Sequence, residues 1–489
     1  MVFIWICIRF QLFMLWICVE YYDYILWFYA KIPKFAVGLI KINMFERSVI
    51  HYLRAWAKKK SRKPLIIRGA RQVGKTSLID EFSKEFDHYI SLNLDRKADL
   101  DFFSKETPVT QIWESILISR RLQKPKKRIL FFIDEIQNSS IAIKSLRYFY
   151  EDMPEIYLIA AGSLLESLMQ KQVSFPVGRV EYLALRPCSF SEFLGALGEL
   201  PLQEKLTSAS VNELLHNRLI ELFKQYTLIG GMPEVINHFI NEKDLIALDN
   251  IYQTLLTGYR DDVEKYAPRP TITEILRYVI KYGWEYAAQR ITFEKFANSN
   301  YKSRDMAETL RTLEKALLLE LVYPTTDTKL PVRKDLKKKP KLLWLDTGLV
   351  NYAAALQNEI YKKDDISDAW RGHVAEHIVG QEIIGTSNRF LEERHFWVRE
   401  ARNSQAELDF LYISRNHGIV PIEVKSGDSS RLKSLQLFMQ DSTSEIAIRF
   451  WGNFESRSQI RTPFGKEFTL LNLPYYFAGF IDKYLDERL

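Results

Sequence analysis

One short stretch limits the folds open to this 489-residue chain more than any other. Gly69-Ala70-Arg71-Gln72-Val73-Gly74-Lys75-Thr76 fits the spacing G-x-x-x-x-G-K-[ST]. The apolar run Pro64-Leu65-Ile66-Ile67-Arg68 precedes it, and a helical pattern starting at Ser77-Leu78-Ile79 follows. Strand, glycine-rich loop and helix is the context in which this spacing cradles a phosphate. The glycines let backbone N–H groups turn inward, and the helix N-terminus adds partial positive charge. Gly69 to Ser77 are therefore the expected nucleotide-binding residues. Lys75 would reach the β- and γ-phosphates, and the Thr76 hydroxyl would ligate magnesium.

A nucleotide hydrolase also needs acids at the end of a neighbouring strand. Arg128 to Glu135 reads as a fully buried strand closing on two carboxylates. Asp134 would hold the magnesium water shell, and Glu135 would polarise the attacking water. His88 to Asp95 and Tyr157 to Ser163 read as two further strands of the same sheet. Ser163 stands where a γ-phosphate sensor would lie, and it also suits the N-cap of a helix beginning at Leu164. Arg179 is a candidate for an arginine that speeds hydrolysis, from the same or a neighbouring subunit, or else a surface residue in a turn after Gly178.

These segments, with Val177 to Val180, Gly230-Gly231-Met232-Pro233-Glu234 and Trp344-Leu345-Asp346-Thr347-Gly348-Leu349, resemble a known group. It is the AAA+-type ATPases of bacteria and archaea whose loop reads Arg-Gly-Ala-Arg-Gln-Val-Gly-Lys-Thr. They carry a characteristic C-terminal domain of once-unknown function. The resemblance runs from Met44 to the C-terminus. It implies an α/β chain with a P-loop NTPase parallel sheet, a helical winged-helix-like region, and an α/β restriction-endonuclease-like domain. It implies ATP and Mg2+ as cofactors and no particular substrate. No second sensor arginine of the usual AAA+ kind is found, which leaves ring assembly open.

The middle of the chain reads as helical from about 212 to 265, with a break at Gly230 to Pro233. Thr271 to Tyr282, Ile291 to Phe296 and Ser303 to Leu319 read as three helices, with Ser303 as the N-cap of the third. Leu321 to Pro324 reads as a wing strand, and the set suggests a winged helix-turn-helix. Arg304, Arg311 and Lys315 could contact phosphates or simply solvate an outer face. The basic runs Lys58 to Lys63 and Arg333 to Lys341 carry the same two readings.

The last third shows the order helix, three strands, helix, strand. Ala369 to Ile384 is a helix containing Glu376; the strands are His395 to Val398, Leu408 to Ile413 and Ile419 to Lys425. Arg431 to Met439 is the second helix and Ile446 to Trp451 the last strand. The order resembles the PD-(D/E)XK nuclease core. Asp409 and Glu423, with Glu376 completing the shell, would hold a magnesium ion beside a scissile phosphate. Lys425, two residues from Glu423 on one strand face, would orient or deprotonate the attacking water. A rival is His373-Val374-Ala375-Glu376-His377, which matches the H-x-x-E-H zinc-peptidase motif. It accounts for the helix alone, whereas the nuclease pattern accounts for four residues together.

Composition narrows the remaining classes. Lys and Arg number 68 against 61 Asp and Glu, a net charge of +7 that is compatible with nucleic acid without requiring it. Three cysteines (Cys7, Cys18, Cys188) exclude a disulfide framework and fit a reducing cytoplasm. Residues 1–43 hold 12 aromatic residues but no uncharged run longer than the ten from Phe10 to Val19. A membrane anchor, a packed extension and a natural start at Met44 are the readings open, the last preferred. The expected divisions are 1–43, 44–210, 211–330 and 331–489. Two functions follow. One is a cytoplasmic Mg2+-dependent ATPase coupled to a DNA-acting, nuclease-like domain. The other is a nucleotide-switched module that binds DNA or protein without cutting. DNA and a protein partner or second copy are the expected partners; a membrane is not.

Overall fold

The first sheet is built from short apolar strands whose alternate residues feed two cores. In a computed structural model, residues 45–123, 127–162, 176, 178–267, 269–355, 372–401, 404–425 and 432–488 are described. The strands β1 (Leu65–Arg68), β2 (His88–Asn93), β3 (Ile129–Asp134), β4 (Tyr157–Gly162) and β5 (Glu181–Ala184) form a five-stranded sheet in the order β2-β3-β4-β1-β5. Every pairing is parallel. Leu65, Ile67, Leu130, Phe132, Ile159 and Ala161 face one core; Ile66, Phe131, Ile133, Leu158 and Ala160 face the other. This period-two division is what a parallel sheet covered on both faces requires. It is an α/β P-loop NTPase sheet, and β1, β3 and β4 all end at one edge.

Three helices flank this sheet's site. α1 (Val49–Ala57) precedes β1, α2 (Lys75–Ser83) follows it, and α3 (Ser140–Asp152) follows β3. α3 starts where the Ser139 side chain accepts the Ala142 N–H at 3.1 Å, an N-cap.

The middle region is helical: α4 (Glu213–Ile229), α5 (Pro233–Glu242), α6 (Asp249–Tyr266), α7 (Pro270–Tyr282) and α8 (Ser303–Lys315). The break at Gly230 to Pro233 is present, and a second falls at Lys243, whose φ of 50° ends α5. The helix expected at Ile291 to Phe296 does not form. Ile291 N–H bonds Pro340 O at 2.8 Å, Lys295 turns left-handed at φ 55°, and a single tight turn follows at Phe296–Asn298. Ser303 is the first residue of α8 rather than its cap; Lys302 holds that position without a side-chain bond. The helix stops at Lys315, and Leu317 turns left-handed at φ 60°.

A three-stranded antiparallel sheet closes this region: β6 (Gln289–Arg290), β9 (Lys341–Trp344) and β7 (Leu319–Val322), in that order. β9 comes from the segment after residue 330, so the expected division at 330/331 falls between strands of one sheet. β8 (Pro324–Thr325) pairs elsewhere, with β10 (His395–Ala401). β10 joins β11 (Ser404–Ser414), β12 (Gly418–Val424), β13 (Ile446–Trp451), β14 (Ser456–Arg461) and β15 (Glu467–Pro474) in a seven-stranded sheet, order β14-β15-β13-β12-β11-β10-β8. Between β9 and β10 lie α9 (Thr347–Ala353) and α10 (His373–Gly385); α11 (Lys433–Asp441) connects β12 to β13. Phe410, Val420, Ile422 and Ile448 pack towards α10, and Leu411, Ile419 and Ala447 towards α11. The described elements thus follow the order helix, three strands, helix, strand. Met44–Leu489 forms one compact unit. Among the described residues no helix is long and apolar enough to cross a membrane.

Candidate nucleotide site and the C-terminal carboxylate cluster

The glycine-rich loop leaves the C-terminal end of β1 and turns into α2. Gly69 is needed because a Cβ there would run into the carbonyl of Leu185, whose N–H bonds Arg68 O at 2.7 Å. Gly74 caps α2 at φ 91°, a conformation that favours glycine. Lys75 Nζ folds beneath the loop and donates to Gly69 O at 3.0 Å and Ala70 O at 2.7 Å. Burial pushes its ammonium down to about 8, against the pull of Glu135 and Asp134. A phosphate in the loop would reverse that trend, because an adjacent anion favours the charged form.

Thr76 and Ser77 are exposed in the first turn of α2. The Thr76 hydroxyl donates to Asp134 Oδ2 at 2.7 Å, and Asp134 Oδ1 accepts the Glu135 N–H at 3.0 Å. Glu135 sits at φ 51°, a strained left-handed conformation of the kind that gathers at functional sites. Its carboxylate accepts from Gln137 Nε2. A hydroxyl and a carboxylate beside a helix N-terminus are hard oxygen donors that suit magnesium, so these residues fit Mg2+ bound with a nucleotide.

Three contacts on the loop come from residues with no motif to announce them. Arg47 Nη1 donates to Val73 O at 3.1 Å, and Nη2 to Arg186 O at 2.8 Å. Its Nε lies 3.1 Å from Glu192. From α6, Asp262 pairs with Arg71, and Tyr259 Oη donates to Arg71 O at 3.1 Å. Gln72 is exposed and Val73 buried.

Arg179 lies elsewhere. It precedes β5, whose first residue Glu181 pairs with Leu65 at the start of β1, so it stands at the opposite edge of the sheet from the loop. There it pairs with Glu151 at 2.8 Å. The same-chain role considered for Arg179 does not fit this position. Ser163 lies outside the described residues.

Residues 61–194 match the family model described as an AAA domain. This segment is an AAA-type P-loop domain. Residues 220–360 match the domain of unknown function DUF8612, and residues 371–476 the domain of unknown function DUF4143. No curated protein matches the sequence. Among solved structures, the Walker-type ATPase of Pyrococcus abyssi is similar at 14% identity, over 64% of this chain and 97% of its own, with a TM-score of 0.41. The RuvB Holliday junction branch migration motor of Thermotoga maritima is similar at 15% identity, over 60% and 93%, TM-score 0.27. The Orc1 protein of Aeropyrum pernix, in complex with DNA, is similar at 10% identity, over 64% and 92%, TM-score 0.28.

The C-terminal residues do gather, but around a group the sequence reading left in a basic run. Lys341, at the start of β9 and 1% exposed, donates to Glu376 on α10. Its Nζ also lies 3.2 Å from Glu407 and 3.3 Å from Asp409 O. Asp409 Oδ2 accepts the Val424 N–H at 2.6 Å, and Lys425 pairs with Glu423. Burial pushes Glu376 up to about 8 and Glu423 up to about 7, and raises Asp409 as well. Among the described residues no three His, Cys, Asp or Glu side chains form a metal-binding group. The three-carboxylate magnesium shell therefore does not fit as expected, because Glu376 faces an ammonium. What is left over is Glu423 Oε2, buried with no hydrogen-bond partner.

The zinc-peptidase alternative fails on His377. Its Nε2 accepts the Trp344 N–H at 3.0 Å, and Nδ1 lies 2.8 Å from Thr347 Oγ1. Both ring nitrogens are engaged inside the core, and burial pushes the imidazole down to about 3. In the basic run, Lys334 pairs with Glu393 at 2.9 Å and Lys338 with Glu400 at 2.9 Å. Exposed Lys337 and Lys339 make no ion pair among the described residues.

Proposed function

We propose that this chain is a Mg2+-dependent ATPase whose nucleotide state sets the binding behaviour of its helical and C-terminal regions. The observation that carries the reading is the Thr76–Asp134 contact at the C-terminal edge of the sheet, with Lys75 beneath the loop and Glu135 beside it. Backbone N–H groups of the loop and Lys75 hold the phosphates. Thr76 and Asp134 hold the metal, which would offset charge developing on the transferred phosphoryl group. Glu135 orients the attacking water and accepts its proton. Ser163 is the proposed γ-phosphate sensor. An arginine acting on the nucleotide would come from a second copy, for which exposed Arg179 is the candidate.

The ligand proposed for the remaining regions is DNA, held without cleavage. Exposed Arg304, Arg311, Lys337 and Lys339 support phosphate contact. Lys341 on Glu376 speaks against a cutting site. One observation favours the second reading, Mg2+-dependent cleavage by Asp409, Glu423 and Lys425: the unpartnered Oε2 of Glu423 invites a cation. Two assays separate the outcomes. Lys75→Ala should abolish nucleotide binding, and Glu135→Gln should leave binding intact while lowering turnover roughly 100-fold or more. Unchanged hydrolysis in both variants refutes the ATPase reading. On plasmid and linear DNA, nucleotide-sensitive retardation without nicking supports the binding module. Nicking that disappears in Lys425→Ala replaces it with the nuclease.

A further inference from the structure

Two of the sequence segments have no part in the nucleotide chemistry: Gly230 to Pro233, and Leu345 to Gly348. They meet at a buried joint. Pro233 Cγ lies 3.5 Å from the Cβ position of Gly74, so one end of the first segment rests against the loop. Its Gly231 O accepts the Cys188 N–H at 2.7 Å, and Gly231 N–H donates to Asp346 Oδ2 at 2.5 Å. A side chain at Gly230 would overlap the Asp346 carboxylate, and one at Gly348 the Ile229 carbonyl. Only glycines let the two segments approach this closely.

From Asp346 the bonding continues into α10. Oδ1 accepts the Leu349 N–H at 3.1 Å, and Oδ2 accepts from Gln381 Nε2 at 3.4 Å. Gln381 Oε1 accepts the Thr347 N–H at 2.8 Å and the Thr347 hydroxyl at 2.9 Å. Since His377 Nε2 accepts from Trp344, its Nδ1 carries the proton and donates to Thr347 Oγ1. Gln381 Nε2 also donates to Tyr226 Oη at 3.1 Å, and Tyr226 donates to Glu382 at 2.7 Å. Glu382 in turn accepts the Phe190 N–H at 3.2 Å. Asp346, Thr347, Tyr226 and Glu382 are wholly buried. A polar network satisfied at every one of these contacts has few alternative arrangements, so a shift at one end moves the other or breaks bonds. Its far end is α10, the helix that carries Glu376 against Lys341.

We propose that Asp346 is a positioning residue that couples occupancy of the nucleotide loop to helix α10. The inference rests on the ATP reading, because it needs a bound nucleotide to displace the loop. A phosphate entering beside Gly74 presses on Pro233, Gly231 moves with it, and Asp346 passes the displacement to Gln381.

The test uses the full chain with Mg2+ and the slowly hydrolysed analogue ATPγS. Nucleotide affinity is measured by fluorescence titration, and backbone amide exchange is followed across His373–Gly385. In the unaltered chain, nucleotide should change exchange in α10 by about threefold or more. Asp346→Asn should keep nucleotide affinity within about threefold while the α10 response disappears. Gln381→Leu, which keeps the volume but cuts the link from the other side, should do the same and serves if Asp346→Asn does not fold. A purely structural role would not separate binding from response. Nucleotide bound with no change in α10, or a response that survives in the folded variants, overturns the coupling. An intact chain that binds no nucleotide overturns the ATP reading and the coupling with it.

Discussion

Replacing Lys341 with methionine tests the C-terminal cluster at its centre. Methionine keeps most of the stem that packs near Phe396 and Phe410, whose ring centroids lie 4.5 and 5.6 Å from Nζ. The volume term is therefore small, and the charge term dominates. Removing one partner of a buried pair typically costs about 3–5 kcal/mol, because the other is left uncompensated. Glu376 is the exposed-to-loss partner: its side chain is only 12% exposed, while that of Glu407 is 35% exposed and solvent-screened. The expected loss for Lys341→Met is thus about 3–5 kcal/mol above about pH 8, where Glu376 is ionised. Adding Glu376→Gln removes the stranded charge and should leave a net loss of about 1–2 kcal/mol. The loss in the single variant should shrink below about pH 8, where burial already keeps the Glu376 carboxyl protonated and no charge is stranded. Urea unfolding read by tryptophan fluorescence suits the measurement, since Trp344 on the same strand stacks on Trp284 at 3.9 Å. Above about pH 8, a single variant that loses under about 1 kcal/mol, or a double variant no more stable than the single, would refute Lys341 as the cation of this cluster.

Two further outcomes follow from the described geometry. Gly69→Ala should force the loop off the Leu185 carbonyl, costing about 1–3 kcal/mol and weakening nucleotide binding about tenfold or more; a variant that melts and binds like the unaltered chain contradicts the fit. Stability should also depend on pH through the buried joint. Burial raises Asp346 to about 6 and Glu382 to about 7, so the folded chain holds protons that the unfolded chain has released. Their contribution is complete at low pH and is lost as pH rises through those values. His377, held neutral, acts the other way: its contribution is lost as pH falls below its ordinary range. Lys75, with its depressed ammonium, opposes the carboxyls only above pH 8. Between pH 6.5 and 8 the thermal midpoint should therefore fall, Glu376 and Glu423 adding in the same direction, and Glu382→Gln should make the slope shallower. A midpoint that rises across this window in the unaltered chain rules the account out.

The geometry of the proposed nucleotide site could be read from the sequence because it is local. Gly69 to Ser77 and Asp134-Glu135 each lie on one turn or strand end, and strand–loop–helix order alone brings them to one edge. Arg47 and Asp262 could not be read that way. They reach the loop from α1's leading segment and from α6, and neither carries a spacing that would announce it. The placing of Arg179 could not be read for a related reason. Its distance along the chain from Gly162 carries no information about which end of β5 it precedes; pairing of Glu181 with Leu65 decides that. The helix expected at Ile291 to Phe296 is broken at Lys295, which turns left-handed at φ 55°; the Ile291 N–H, which a helix starting there would leave without an intrahelical partner, bonds the Pro340 carbonyl.

The carboxylate cluster shows where a pattern of positions stops short of chemistry. Glu376, Asp409, Glu423 and Lys425 are brought near one another by the element order, yet what they can hold depends on Lys341. In the sequence that residue closes a run of basic side chains, and such a run reads as a solvated loop. In the fold it opens β9 instead: Pro340 ends the run, and the strand pairs Lys341 with Val322 and Arg290, carrying the ammonium under α10. Because β9 belongs to the sheet of the helical region and Glu376 to the C-terminal region, the pair is also a clamp between them. Asp346, five residues further on, bonds Gly231, two residues before the Pro233 that lies beside Gly74. One short stretch, Lys341 to Gly348, therefore touches the helical region, α10 and the segment that leads to the loop, beside the direct contacts that Asp262 and Tyr259 make with Arg71.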